Sequence, residues 1–217
     1  MTSTQATPIP KLPPVDHDVL YFAFGSNMAM AQMAKRCPDC RLFARGILRG
    51  HKWETNAKGG GNVVKVNDDD YVEGILWTLT PTDLELLRPH EGLDWGYFTE
   101  QKRDFEIEPL TIKALEGQKA SDAAELLEKY KNGTIKAPEA ILTSTEQKKK
   151  VIQEALIYIS LNYKGPADIR EEYVGRMEAA MADARLLGMT NEYCQRAIYP
   201  FINGPRTSKP TPVQVKA

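Results

Sequence analysis

Tyr21-Phe22-Ala23-Phe24-Gly25-Ser26-Asn27-Met28 joins an apolar, aromatic-rich run to three residues that favour turns. The run reads as a buried strand, and Gly-Ser-Asn tolerates positive φ and local side-chain-to-backbone bonding. Residues 28–35, rich in Ala, Met and Gln, read as helix. Strand, glycine turn and helix start together converge backbone N–H groups at the positive end of a helix dipole, a corner suited to a carboxylate, a phosphate or a developing oxyanion. The same residues also make an ordinary strand-to-helix turn with Ser26 or Asn27 as N-cap. No Gly-Lys-Ser/Thr follows and no Gly-x-Gly-x-x-Gly is present, which disfavours nucleotide binding.

The chain of 217 residues, 42% hydrophobic and 26% charged, is long enough to bury one core without metals or disulfides. Its 28 Lys and Arg nearly balance 29 Asp and Glu, so it has no basic field for nucleic acid or an acidic membrane, and a small neutral-to-anionic substrate fits better. No apolar run is long enough to span a bilayer and no secretory signal pattern opens the chain, so a cytoplasmic location is expected. Three cysteines argue against a disulfide framework. Cys37-Pro38-Asp39-Cys40 has Cys-x-x-Cys spacing but no second pair, and neither Cys194 nor His17, His51 or His90 supplies one, so structural or free thiols and no metal are expected.

Residues 1–17 and 203–217 read as disordered tails around a domain at 18–202. Within it, strands are expected at 20–24, as a pair broken at Gly46 or Gly50 across 42–53, at 63–66 and 72–79 as a hairpin around Asp68-Asp69-Asp70, at 97–107 and at 154–161. Gly59-Gly60-Gly61 marks a flexible turn. Thr80-Pro81-Thr82-Asp83 opens a short helix that Pro89 ends, and His90-Glu91-Gly92 follows at once in a tight connection. Further helices are expected at 121–131, capped by Ser121-Asp122, at 174–187 and at 191–197. Periodicity gives an α+β fold.

Phe24-Gly25-Ser26-Asn27 after Tyr21-Phe22-Ala23 closely resembles the signature of the γ-glutamylcyclotransferase family, usually Tyr-Gly-Ser-Asn, and the likeness runs from about residue 20 to 202 around one large insertion. The resemblance implies a small mixed β-barrel or twisted sheet flanked by helices, release of 5-oxoproline from γ-glutamyl compounds, and no cofactor. Gly-Ser-Asn, rather than Gly-Ser-Leu, sets it apart from relatives that degrade glutathione directly. The family's essential glutamate falls on Glu91. Its glutamyl-binding positions fall on the loop segment Tyr21, Phe22, Ala23, Phe24, Gly25, Ser26 and Asn27, and on Tyr163 and Tyr173. The expected partner is a small γ-glutamyl molecule, and a homodimer is the candidate assembly.

A carboxylate suits that chemistry. Cyclisation needs the substrate's own α-amino nitrogen to attack the γ-carbonyl, and at neutral pH this amine is an ammonium, so a base must take its proton and later return one to the departing amine. Burial against Tyr97 or Trp95 is expected to raise the Glu91 pKa toward the working range. The loop amides serve the oxyanion or the substrate α-carboxylate.

Two departures from the family pattern stand out. Phe24 replaces the usual tyrosine, and residues 109–150 replace a short turn. The insertion reads either as a solvated surface excursion or as a lid that reshapes the pocket for a bulkier compound such as a glutathione conjugate. Insertion and tails look similar to those of fungal members, some of which trim glutathione-derived adducts in sulfur-containing secondary metabolism. The alternatives are a non-catalytic anion-binding module of the same fold and a γ-glutamylamine cyclotransferase.

Overall fold

A computed structural model describes residues 17–136 and 151–204. The expected tails, and the insertion beyond residue 136, therefore lie largely outside the described residues. Strands β1 (Val19–Ala23), β2 (Arg41–Arg49), β5 (Tyr71–Leu79), β6 (Thr99–Glu108) and β7 (Val151–Ile159) close a five-stranded barrel in the order β1-β5-β2-β6-β7. Its neighbours are antiparallel except where β7 meets β1 in parallel, Tyr21 opposite Leu156. Strands β3 (His51–Thr55) and β4 (Gly61–Lys65) form a separate two-stranded sheet. Helices α1 (Met30–Arg36), α2 (Pro81–His90), α3 (Ala120–Lys131) and α4 (Glu171–Leu186) pack around the barrel, and a short helical run, Asn191–Tyr193 through Tyr199–Ile202, ends the described chain.

The barrel interior is filled by alternate side chains of its strands. Phe22 and Phe105 meet at 4.4 Å between ring centroids. Room for the Phe22 ring comes from Gly46 and Gly74, which face each other across β2 and β5. A Cβ on Gly74 would run into the carbonyl oxygen of Ala23 and lie 2.6 Å from the Phe22 ring. Because one obstacle is backbone, Gly74→Ala is expected to cost about 3 kcal/mol, read as a lowered urea midpoint; an unchanged midpoint would mean the barrel can widen there.

The expected hairpin around Asp68-Asp69-Asp70 does not form. β4 pairs with β3, β5 pairs with β1 and β2, and the acidic stretch is an Asn67-centred turn whose side-chain oxygen accepts from the Asp69 and Asp70 N–H groups at 3.1 and 3.2 Å. Alternation shows that a strand is half-buried, and says nothing of which strand it pairs with. The break in 42–53 falls at Gly50, at φ 71°. α2 opens with a full capping box between Thr80 and Asp83. α3 begins at Ala120 with Lys119 as N-cap and no side-chain cap, so Ser121 and Asp122 do not cap it.

β6 and β7 are adjacent antiparallel strands, with Ile107 opposite Val151, so residues 109–150 stand where a hairpin turn would. The described part is no surface excursion. Leu110, Ile112, Leu115, Ala120, Ala123 and Leu127 are buried. Leu42 exchanges backbone bonds with it, N–H to Gln118 O at 2.9 Å and O from Gly117 N–H at 2.7 Å, and Ala120 N–H donates to Cys40 O at 3.1 Å. Cys37 and Cys40 are buried free thiols in the core, and burial pushes the Cys37 thiol up to about 12, which leaves it unreactive. Among the described residues no helix is long and apolar enough to cross a membrane, and no cluster of His, Cys, Asp and Glu could hold a metal ion.

Candidate active site

β1 ends at Ala23, and the chain turns through Phe24 and Gly25 into a single 3-10 turn, Ser26–Met28, before α1 starts at Met30. Trp53 Nε1 donates to Phe24 O at 3.0 Å, and Trp77 Nε1 to Asn27 O at 3.1 Å, so two buried indoles fix the loop from behind. Gly25 is not required for its φ, which is −130°. It is required for space: a Cβ there would sit 2.5 Å from Tyr173 Oη. The helix dipole expected to point at this corner is also absent. α1 has only seven residues, has no side-chain N-cap of its own at Ala29, and its Met30 N–H is taken by Asp183 Oδ2 of α4 at 2.8 Å, so neither Ser26 nor Asn27 is its N-cap.

Glu91 is the residue on which α2 ends, its N–H bonded to the carbonyls of Leu87 and Arg88. Gly92, at φ 61°, reverses the chain directly beneath Tyr97, where a Cβ would lie 2.7 Å from that ring. This fixes the Glu91 side chain toward the loop, and it is 11% exposed. Asn27 Nδ2 donates to Glu91 Oε1 at 2.9 Å and to Tyr21 Oη at 2.8 Å. On the other side of the amide, Asn27 Oδ1 accepts from Gln32 Nε2 and Arg36 Nη1, both at 2.8 Å. Donors on one side and acceptors on the other leave the amide a single consistent orientation. Burial raises the Glu91 pKa above the ordinary glutamate value of 4.5; Arg36, 3.8 Å away, and the Asn27 bond oppose that rise without cancelling it.

These groups wall a cavity of about 100 Å³. Tyr173 Oη accepts from Ser26 N–H at 3.3 Å on one wall. On another, Tyr158 Oη donates to Glu100 Oε1 at 2.9 Å, and Glu100 is held by Arg88 through bonds of 2.7 and 3.0 Å. Burial raises the hydroxyl pKa of Tyr21, Tyr158 and Tyr173 alike, so these tyrosines stay protonated and act through hydrogen bonds, not as bases. His90, exposed at the rim, has a lowered pKa from desolvation and the Arg36 charge.

Of the residues singled out from sequence, Tyr21, Phe24, Gly25, Ser26, Asn27, Glu91 and Tyr173 line the cavity, while Phe22, Ala23 and Tyr163 do not. Strand alternation turns Phe22 into the barrel, and Ala23 pairs with Ile75 in the β1–β5 ladder. Tyr163 packs edge-on against Tyr97 at 5.6 Å, with Lys58 Nζ 4.4 Å from each ring centroid. Trp95 is 75% exposed and outside the cavity wall, so Glu91 is desolvated by the cavity walls and not by Trp95. No described residue of the insertion lines the cavity, which removes the described part as a lid or wall. Arg36, Tyr158, Arg170 and Arg176 line it and were not singled out as site residues. Only the spacing of three on either side of Tyr173 could have flagged the last two.

No protein-family model and no curated protein sequence matches the chain. Solved structures do. A γ-glutamyl cyclotransferase, 16% identical, aligns at TM-score 0.55 over 82% of this chain and 85% of that one. An uncharacterised protein from Homo sapiens, also 16% identical, aligns at 0.55 over 90% and 92%. YkqA from Bacillus subtilis, 14% identical, aligns at 0.56 over 88% of this chain and 56% of its own. The mixed helix-and-strand architecture around a small closed five-stranded barrel is the fold of the γ-glutamyl cyclotransferases.

Proposed function

We propose that the protein is a γ-glutamylcyclotransferase that cyclises a γ-glutamyl group to 5-oxoproline and frees the attached amine. The observation that carries this reading is a buried carboxylate, Glu91, hydrogen-bonded to the Gly25–Asn27 corner within one small cavity. Glu91 takes a proton from the substrate's α-ammonium. The freed nitrogen attacks the γ-carbonyl carbon, the C–N bond to the leaving amine breaks as Glu91 returns the proton to that amine, and the second proton lost by the ring nitrogen passes the same way, leaving a neutral lactam and an ammonium product. Atoms balance without water or a co-reactant. Asn27 and Arg36 position the carboxylate. Ser26 N–H, held only by a long bond to Tyr173, is the donor a substrate oxygen can take over. Tyr158, whose proton is committed to Glu100, offers its oxygen as an acceptor. Nucleophile and electrophile belong to one molecule, so the walls mainly have to fold the glutamyl chain into a ring-closing conformer. Glutathione-derived adducts in fungal secondary metabolism, handled in the cytoplasm, are the proposed setting.

The test is 5-oxoproline release from a panel of γ-glutamyl amino acids, γ-glutamyl amines, glutathione and glutathione S-conjugates. At least one is expected to react; release from none would leave an anion-binding module. The acid limb of kcat/KM should rise with pH at a midpoint above 4.5, because the base works only when ionised and its pKa is raised. Arg36→Gln removes an opposing positive charge and should move that limb to higher pH.

A further inference from the structure

Arg170, Tyr173 and Arg176 recur every third residue along the start of α4 and lie on one side of it, and all three line the cavity. Their exposure gives the cavity a direction. Tyr173 is buried with its hydroxyl on the Ser26 N–H, close to Gly25 and Gly61. The two guanidinium carbons lie 6.0 and 5.0 Å from its ring centroid, and the arginine side chains are 49% and 37% exposed. One wall thus runs from the loop corner outward to two cations. This wall is open to the leaving amine of a γ-glutamyl group whose reacting end sits at Glu91 and Ser26.

We propose that Arg170 and Arg176 bind a carboxylate carried by the leaving amine, making them the specificity determinants that favour γ-glutamyl compounds with an anionic leaving group. This rests on the cyclotransferase reading. Planar guanidiniums match a carboxylate in geometry as well as charge. A carboxylate already faces both: Glu172 Oε1 is 3.3 Å from Arg170 Nε and 4.0 Å from Arg176 Nη2. Glu172 is largely exposed, and exposed ion pairs contribute little, so a substrate carboxylate can take its place.

The test compares γ-glutamyl-alanine with γ-glutamyl-alaninamide, which differ by one charge. Affinities come from titration calorimetry on Glu91→Gln protein, where turnover does not interfere, and kcat/KM from the unaltered enzyme. The carboxylate compound should bind about tenfold tighter or more. That ratio should fall toward one when Arg170→Gln and Arg176→Gln are added together, and be largely kept by the corresponding lysine changes. Equal affinities in the Glu91→Gln parent, a ratio that survives the double glutamine change, or no binding of either compound would overturn the proposal. If the affinity ratio holds but the unaltered enzyme releases no 5-oxoproline, the anion site stands and the cyclotransferase reading falls.

Discussion

Glu91→Gln is expected to lower kcat/KM for 5-oxoproline release by about 10³-fold while the protein stays folded. Glutamine keeps the side-chain shape, and its carbonyl oxygen can still accept from Asn27 Nδ2, but it cannot take a proton from an ammonium. The folding consequence follows from the raised pKa. Burial favours the neutral acid in the native protein more than in the unfolded chain, a stabilisation fully present below the unfolded pKa and lost as pH rises through the native one. At neutral pH the ionised carboxylate is therefore a burden on stability, and the amide variant should melt at the same temperature or higher. Calorimetry beside a steady-state assay separates this from a variant that merely unfolds. His90, the other titratable base at the cavity, sits exposed on its rim, and His90→Gln should retain most of the rate. The opposite outcome, full rate in Glu91→Gln and loss in His90→Gln, would transfer the base to the histidine.

Excising residues 109–150 and joining β6 to β7 with an Asn-Gly turn is expected to abolish cooperative folding. The register permits the graft, since Ile107 already faces Val151 and the resulting Glu108-Asn-Gly connection is a three-residue hairpin loop with glycine at its last position. The core does not permit it. Leu110, Ile112, Leu115 and Leu127 are 0–3% exposed, and burying each such side chain contributes about 1.5–3 kcal/mol, against a total domain stability of roughly 5–15 kcal/mol. Their removal also uncovers Leu42 and Cys40, whose backbone groups bond to the segment. Lys131 of α3 further pairs at 2.6 Å with Asp183, the same carboxylate that holds the start of α1 behind the loop corner. A milder change, Leu127→Ala, should cost about 3 kcal/mol and provide a measurable transition. A trimmed protein that folded normally and only changed its substrate preference would restore the segment as a lid.

Much of the site was legible because its parts are local. Tyr21 through Asn27 announce a strand and a turn by composition, and Thr80 to Gly92 announce a capped helix followed by a tight reversal, so a resemblance anchored in two short segments singled out Glu91, which lines one cavity with Tyr21 and Asn27. Phe22 was included because a motif is contiguous, whereas a strand sends successive side chains to opposite faces and turns Phe22 into the barrel; Ala23, paired beside Ile75, does not line the cavity either. Tyr163 was chosen by its position after β7, and position along a chain does not say which way a loop residue turns; it turned to Tyr97 and Lys58. Tyr158, five residues earlier and inside β7, lines the cavity because closure of the barrel sets β7 beside β1.

The sequence alone determined the mixture of helices and strands, the Gly-Ser-Asn turn and the carboxylate at the end of α2, since hydrophobic periodicity, capping residues and glycines act within a few residues of themselves. Tertiary structure decided which strands pair, that the described part of the insertion belongs to the core, that Asp183 covers the start of α1, and that Arg170 and Arg176 share a wall with Ser26. Those outcomes depend on contacts such as Asn27 to Glu91, 64 residues apart, and Ser26 to Tyr173, 147 apart. Contacts of that span form only when the whole barrel closes and its packing selects among partners that local patterns leave equivalent.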